Sequence, residues 1–271
     1  MELVKSASGE SQHLVQFYEA DELFLARNVS HFLWEGLKRG DGLLVIAGAE
    51  RSEAFSHQLT KMGADLQAAA RDGHLVFLDA QETLAKFMVA GRPDWVLFES
   101  AIRAAMQTVH TRAFDGGLRA YGEMVGILWK AGQFSAAARL ERFWNRLLHQ
   151  SRFSLFCGYP IDVFGKEFRI DALDDLLCAH THLVPAGANG DLERAVDQSM
   201  DEVLGARANG LRLLMKANFR PSWAAMPRGE ASILWLRNNL EDDADEILTR
   251  ARKYYRQSQN LAAAVCNSHV C

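Results

Sequence analysis

The chain has 271 residues, of which 49% are hydrophobic and 24% are charged, and this balance excludes a disordered protein and predicts a sizeable core. A formal net charge of −4 gives no general attraction to phosphate backbones or anionic lipid, so we expect neither a nucleic-acid partner nor a membrane. No stretch approaches the roughly 18 apolar residues of a membrane span, and residues 1–11 lack the apolar segment of a signal peptide. The expected location is therefore the cytoplasm, where four scattered cysteines stay reduced.

Strands and helices alternate along the first two thirds of the chain. A strand over 13–18, a helix over 22–39 that Asp21 can cap, and an apolar strand over 43–47 predict a βαβ unit. The alternation continues with helices at 52–71, 81–89, 95–109 and 134–150, and with strands at 74–78, 118–121 and 153–157. Such alternation predicts an α/β fold with a parallel sheet between layers of helices.

The composition changes after Pro185, where residues 186–190 are small and polar like a linker. Beyond them we expect helices only, at 192–204, 211–217, 231–240 and 244–255. The predicted organisation is an N-terminal tail (1–11), an α/β domain (12–185), the linker, a helical C-terminal domain (191–259) and a flexible tail (260–271).

The common catalytic and cofactor motifs are missing. The phosphate-binding loop G-x-x-x-x-G-K-[ST] does not occur, since the only Gly-Lys pair, Gly165-Lys166, precedes Glu167 and has Pro160 in place of the first glycine. The G-x-G-x-x-G, G-x-S-x-G, H-E-x-x-H and C-x-x-C motifs are also absent. We therefore expect no cofactor and no enzymatic activity.

Three blocks resemble a known family in their order along the chain. The first is HLVQFYEAD from His13, followed by FLWEGLKRG from Phe32; the second is RAYGEMVGILW from Arg119; the third comprises LERFWN from Leu140 and FSLFCGYP from Phe153. Over roughly residues 12–185, these blocks are similar to the MEDS family, named for sensory domains of methanogens and of DcmR, a regulator of dichloromethane metabolism.

The resemblance implies a RecA/KaiC-like three-layer parallel sheet that lacks the phosphate-binding loop, followed by a small all-helical C-terminal region. It implies a sensor of small molecules such as hydrocarbon derivatives, whose partner is a histidine kinase or transcription regulator. A homodimer is left open. Because DcmR-type regulators carry a DNA-binding segment before the sensor, and only about eleven residues stand there, direct repression is in doubt.

Ligands of such sheets collect at the carboxyl ends of the strands, which predicts the candidate site. The candidate ligand-binding residues are His13, Tyr18, Glu19, Arg119, Glu123, Trp129, Cys157 and Tyr159. Arg119 and Glu123 are expected to form a polar pair in the crevice, with a structural ion pair as the alternative. Trp129 and Cys157 have the alternative of plain core.

Cys178, His180 and His182 alternate, so an extended chain would place all three on one face with metal-ligand chemistry. This spacing is too short to nominate a metal site.

Three functions remain open. The leading one is a non-enzymatic sensor that binds a small molecule or a partner and relays it through the C-terminal helices. The second is a divergent nucleotide-binding KaiC-like protein. The third is a transcription regulator that binds DNA through basic residues of the C-terminal region, namely Arg207, Arg212, Lys216 and Arg220.

Overall fold

The structure is a computed structural model that describes residues 11–19, 23–111, 117–187, 190–217 and 222–268. The main-sheet strands are β1 (His13–Phe17), β2 (Gly42–Ala47), β3 (Leu75–Asp79), β6 (Leu118–Gly122), β7 (Phe153–Tyr159) and β8 (His182–Val184). They pair in parallel in the order β3-β2-β6-β7-β1-β8. A separate antiparallel hairpin joins β4 (Met88–Val89) to β5 (Arg92–Pro93).

Helices follow most of the strands. Those of the sheet region are α1 (Leu23–Arg39), α2 (Ala49–Lys61), α3 (Leu66–Arg71), α4 (Ala80–Ala85), α5 (Trp95–Gln107), α6 (Met124–Lys130), α7 (Phe134–Gln150) and α8 (Ile170–Ala179). The C-terminal helices are α9 (Asp191–Leu204), α10 (Arg207–Ala217), α11 (Arg228–Asn239) and α12 (Glu241–Ser268).

Side chains of the sheet alternate between two hydrophobic cores. In β2, Leu43 and Val45 pack with α1 and α2, whereas Leu44 and Ile46 pack on the opposite face with α5 and α7. Because successive residues of a strand point to opposite faces, a strand covered on both sides is apolar throughout. This arrangement confirms the expected three-layer α/β core.

The C-terminal helices pack onto the core of the sheet region. Val196 of α9 and Ile247 of α12 belong to the same hydrophobic core as Phe164 and Phe168, which follow β7. The ring of Phe164 also lies 5.8 Å from the ring of Tyr255 on α12. Apolar contacts therefore cross the predicted linker, and the division into two domains stays a prediction.

Several predicted boundaries differ from the structure. The helix expected at 52–71 is two helices, because Gly63 adopts a positive φ of 91° and Asp65 accepts a hydrogen bond from the Ala68 amide as the N-cap of α3. Helix α12 continues through Ser268, so the tail expected from residue 260 is helical over most of its length. Asp21, the expected cap of α1, lies outside the described residues.

Five elements were not predicted, namely α6, α8, β8 and the two strands of the hairpin, β4 and β5; the helix expected at 81–89 ends at Ala85, and Met88–Val89 form β4. The segment Met124–Lys130 is too short for its apolar residues to establish a helical period, and β8 has only three residues. Among the described residues, no helix has both the length and the apolar character that crossing a membrane requires.

Candidate functional site

Four polar side chains meet in the interior: His13 on β1, Glu141 on α7, Cys157 on β7, and His180, the residue after α8. All four are buried, and one potential ligand atom from each lies within 4.8 Å of the other three. Residues that carry such groups seldom become fully buried without partners. We refer to these four residues as the buried cluster.

Three distances inside the buried cluster are close to those between neighbouring ligands of a four-coordinate metal site. Nε2 of His13 lies 3.3 Å from Oε2 of Glu141 and 3.5 Å from Sγ of Cys157. Nε2 of His180 lies 3.4 Å from Oε1 of Glu141. In a tetrahedral site with metal–ligand bonds of about 2.0–2.3 Å, neighbouring ligand atoms are roughly 3.3–3.8 Å apart. These three contacts therefore have the spacing of neighbouring ligands, with both carboxylate oxygens of Glu141 involved, while the four potential ligand atoms together lie within 4.8 Å of one another.

The Nδ1 atoms of both histidines in the buried cluster lie within hydrogen-bond distance of oxygen acceptors. Nδ1 of His13 lies 3.0 Å from the Ala179 carbonyl and 2.9 Å from Oδ1 of Asn145, and Nδ1 of His180 lies 2.7 Å from the Leu176 carbonyl. A carbonyl oxygen only accepts, so each Nδ1 carries the proton. In the neutral rings the lone pair is then on Nε2, directed at the cluster, as in metal-binding histidines.

The electrostatics of the buried cluster favour a cation. Burial and the neighbouring His13 lower the pKa of His180, so its ring is neutral near neutral pH. Burial alone would raise the pKa of Glu141, but the positive charge of His180 and His13 in their protonated forms outweighs burial and holds this pKa below its usual range, and a metal ion between neutral rings would supply the same positive charge. Oε2 of Glu141 and Nε2 of His180 make no hydrogen bond to the described residues. A metal ion would satisfy both atoms.

Burial, and then the charge of Glu141, raise the pKa of the Cys157 thiol well above its usual value. A coordinating metal ion reverses this preference because it stabilises the thiolate. The donor set of two imidazoles, one thiol and one carboxylate suits zinc and related divalent metals.

A cavity of about 850 Å³ adjoins the buried cluster between α6, α7 and α8, and we call it the aromatic cavity. Its lining includes Trp129, Phe134 and Tyr159, together with Glu141 from the cluster. The ring of Trp129 packs edge-on against Tyr159 at 5.4 Å and against Phe134 at 4.7 Å. The aromatic rings form one wall, and much of the rest of the lining is polar or charged, with Glu141 at the inner end and Arg142, Lys166, Glu167, Arg169, Asp171 and Asp175 around it.

A second cavity, of about 460 Å³, opens at the carboxyl ends of the strands, and we call it the strand-end cavity. It is lined by Tyr18, Glu19, Arg51, Glu123, Gly126, Ile127, Lys130, Pro160, Asp162, Arg252 and Arg256. Ends of β1, β6 and β7 contribute to it, as expected for a doubly wound sheet.

On one side of the strand-end cavity, Glu123 is fixed between two elements. Its carboxylate pairs with Nη1 of Arg51 at 2.8 Å and accepts a hydrogen bond of 2.8 Å from the Gly48 amide, which precedes α2. Nη2 of Arg51 donates to the Tyr18 hydroxyl at 3.1 Å. The pair therefore connects β6 with the start of α2 and the end of β1.

On the other side, α12 reaches the cavity through two arginines. Arg252 contacts Asp162 and lies 3.9 Å from Oε1 of Glu19, while Arg256 lies 3.4 Å from Oε2 of Glu19. Burial, and then the neighbouring Asp162, raise the pKa of Glu19. The terminal helix is thus bound to the carboxyl ends of the sheet by charged groups.

Two expectations from the sequence were wrong. Arg119 does not pair with Glu123, because it lies at the start of β6, where its guanidinium contacts Asp41 at 3.0 Å and donates to the Phe32 carbonyl at 2.8 Å. Residues 178–182 are not one extended segment either. Cys178 is exposed on α8, only His180 enters the cluster, and His182 lies on β8.

The structure divides the other predicted site residues between two places. His13, Cys157 and Tyr159 surround Glu141, with Trp129 against Tyr159, whereas Tyr18, Glu19 and Glu123 line the strand-end cavity. Glu141 itself was not predicted as a site residue, nor were Arg51, Asp162, Arg252 and Arg256. The sequence did contain a signal for Glu141, because helical spacing places this carboxylate on the apolar stripe of α7. In the structure its exposure is accordingly only 2%.

The fold defines a three-layer α/β protein with two cavities and a buried cluster of side chains that could ligate a metal ion. A family model described as the MEthanogen/methylotroph, DcmR Sensory domain matches residues 12–181, a range that contains the whole buried cluster. The chain belongs to this MEDS family of sensory domains. A comparison with curated proteins found no match.

Proposed function

We propose that this protein is a non-enzymatic sensor whose buried cluster holds a divalent metal ion next to a small-molecule chamber. The observation that carries the proposal is the convergence of four ligand atoms, from His13, Glu141, Cys157 and His180, within 4.8 Å. The carbonyls that hold both histidine Nδ1 atoms support it, because they leave the Nε2 lone pairs for a metal.

The aromatic cavity supports a small organic ligand. Its walls include Trp129 and Phe134, and at its polar end are Glu141 and the Tyr159 hydroxyl, which are joined by a hydrogen bond. The aromatic wall suits a short hydrocarbon part, and the Glu141–Tyr159 pair and the charged residues of the lining suit a polar group such as a hydroxyl or amine. We therefore propose a small hydrocarbon derivative as the ligand.

A relay to the C-terminal helices is supported by the strands that carry the cluster. His13 lies on β1 and Cys157 on β7, and these adjacent strands lead to Glu19 and Asp162. Both carboxylates bind the arginines of α12. A change at the buried cluster would bias the position of α12, and we propose that a protein partner such as a histidine kinase or transcription regulator reads it.

Metal analysis tests the proposal. Zinc-loaded, desalted protein is expected to retain about one metal ion per chain. His180→Ala and Cys157→Ser are expected to lose it, while the matched controls His149→Ala and Cys178→Ser, which change exposed residues, retain it. Circular dichroism verifies that each variant is folded.

Cobalt substitution provides a second readout that does not depend on retention through desalting. Thiolate coordination is expected to give a near-ultraviolet absorption band that Cys157→Ser removes and Cys178→Ser keeps. Wild-type protein that is folded yet binds neither zinc nor cobalt would contradict the metal-based proposal.

A further inference from the structure

We infer that the strand-end cavity is a second binding site, for a small anion that carries phosphate or carboxylate groups, and that this anion competes with Glu19 for the arginines of α12. The inference goes beyond the proposed function, because neither the buried cluster nor the aromatic cavity is part of this site.

The lining of the strand-end cavity has more positive than negative groups. The cationic residues are Arg51, Lys130, Arg252 and Arg256, and the carboxylates are Glu19, Glu123 and Asp162. Each arginine presents several N–H donors in a fork that matches a carboxylate or phosphate. The charge balance therefore favours an anion over a cation or a neutral molecule.

The three carboxylates are not equivalent. Glu123 is fixed, because it pairs with Arg51, which is only 8% exposed, and accepts from the Gly48 amide. The side chains of Glu19 and Asp162 are 33% and 30% exposed and face each other across the same arginine. Two adjacent carboxylates repel each other. Burial is the largest cause of the raised pKa of Glu19, and the neighbouring Asp162 is the next. Asp162 also accepts a hydrogen bond of 2.8 Å from the Phe164 amide, so Glu19 is the carboxylate that an incoming anion can replace.

Two cationic side chains of the cavity, Lys130 and Arg256, can bind an incoming anion without the loss of a strong ion pair. Lys130 is exposed and has no ion pair with any residue that the structure describes. Arg256 has a side chain that is 63% exposed and contacts Glu19 at 3.4 Å. Exposed ion pairs of this kind contribute little to stability, so a better-placed anion can replace Glu19 at Arg256.

The position of the cavity also suits a ligand. The carboxyl ends of β1, β6 and β7 surround the cavity. The helices that follow β1 and β7 lie on opposite faces of the sheet. Ligands of open α/β sheets bind in the crevice at such a reversal. An anion there would contact the sheet region through Lys130 and α12 through Arg256, and would release α12 from Glu19.

Isothermal titration calorimetry of the full chain at low ionic strength tests the inference, with inorganic pyrophosphate and malonate as probes. Binding of pyrophosphate alone supports a phosphate ligand, and binding of malonate alone supports a dicarboxylate. Lys130→Gln and Arg256→Gln each change an exposed side chain, and we expect about ten-fold weaker binding from the loss of a charge-assisted hydrogen bond. Arg250→Gln is the matched control on α12, because Arg250 pairs with Glu246 and Glu202 away from the cavity.

Glu19→Gln distinguishes a binding site from a purely structural contact. Removing the competing carboxylate is expected to tighten anion binding several-fold, even though it removes an ion pair of α12. The inference is overturned if neither probe binds at millimolar concentration, or if binding is unchanged in Lys130→Gln and Arg256→Gln. Metal content is measured in the same samples, so the failure of one site is distinguishable from failure of the other.

Discussion

The hydroxyl of Tyr159 donates a hydrogen bond of 2.6 Å to Oε1 of Glu141, at the boundary between the buried cluster and the aromatic cavity. Tyr159 is only 1% exposed, so this bond forms in an apolar environment where its loss leaves an oxygen unsatisfied. The same carboxylate oxygen lies 3.4 Å from His180. Tyr159 therefore orients a proposed metal ligand and also faces the proposed small-molecule chamber.

Tyr159→Phe is expected to weaken zinc binding by about 10- to 100-fold, because the hydroxyl orients the Glu141 carboxylate. Competition with a chelator of known affinity measures the change. Tyr254→Phe, which removes a hydroxyl bonded to exposed Glu202, serves as the control and should leave zinc affinity unchanged. Equal affinities of Tyr159→Phe and wild type would exclude a role for this hydroxyl in metal binding.

Trp129→Ala is expected to abolish the rise in melting temperature that a short alcohol or halocarbon produces, because Trp129 forms a wall of the aromatic cavity. Zinc content should remain at the wild-type level, since Trp129 contributes no ligand atom to the buried cluster. Trp34→Ala, on α1 and on the other face of the sheet, is the matched control and should respond to the ligand like wild type. A retained response in Trp129→Ala would place the ligand elsewhere.

Arg119→Ala is expected to destabilise the protein by roughly 3–5 kcal/mol, because it leaves Asp41 without its buried partner. Urea unfolding measures this change. Zinc content and ligand response of the folded fraction should not change, since Arg119 lines neither the aromatic cavity nor the strand-end cavity. A selective loss of ligand binding at normal stability would restore Arg119 as a binding residue.

Glu230 on α11 predicts a pH-dependent stability. Burial raises its pKa from 4.5 to about 7, although its carboxylate accepts a hydrogen bond from the Ala186 amide. Between these values the folded state holds a proton that the unfolded state has lost, so the free energy of unfolding decreases as the pH rises through this window. The protonated Glu230 contributes about 3 kcal/mol to the free energy of unfolding at low pH. This contribution is fully lost above a pH of about 7.

Glu230→Gln tests this dependence, because glutamine keeps the acceptor for Ala186 and does not ionise. The variant is expected to be more stable than wild type at about pH 8 and close to it at about pH 5, as measured by urea unfolding at both values. A difference between the two proteins that does not vary with pH would mean that Glu230 does not titrate in this range.

The parallel sheet was predictable from the sequence because its strands and covering helices have strong periodic patterns. The continuous apolar run of β2 and the amphipathic stripe of α7 are examples, and the predicted bounds of α7 agree with the structure. Short elements were not predictable in the same way. In β8 and α6, few residues establish a period, and contacts with neighbouring strands and helices determine the conformation.

The candidate site was only partly predictable, because its parts are distant in sequence. His13 and Cys157 stood at or near the ends of predicted strands, but their meeting with Glu141 and His180 depends on the order of strands in the sheet, which local patterns do not specify. The contacts of Arg252 and Arg256 with Glu19 and Asp162 depend on how α12 packs against the sheet region. Such packing depends on the tertiary structure. From residue type alone, Arg252 and Arg256 indicated only an exposed, charged face of the helix.

The placement of β1 between β7 and β8 has a consequence for biosynthesis. This strand leaves the ribosome first, yet both of its partners begin at residue 153 or later. At about 5–20 residues per second, synthesis of the intervening chain takes on the order of ten seconds, during which the nascent β1 segment has no native strand partner. We expect the β1 segment to be an early binding site for chaperones, and the proposed metal site to be complete only after nearly the whole sensory domain has been translated.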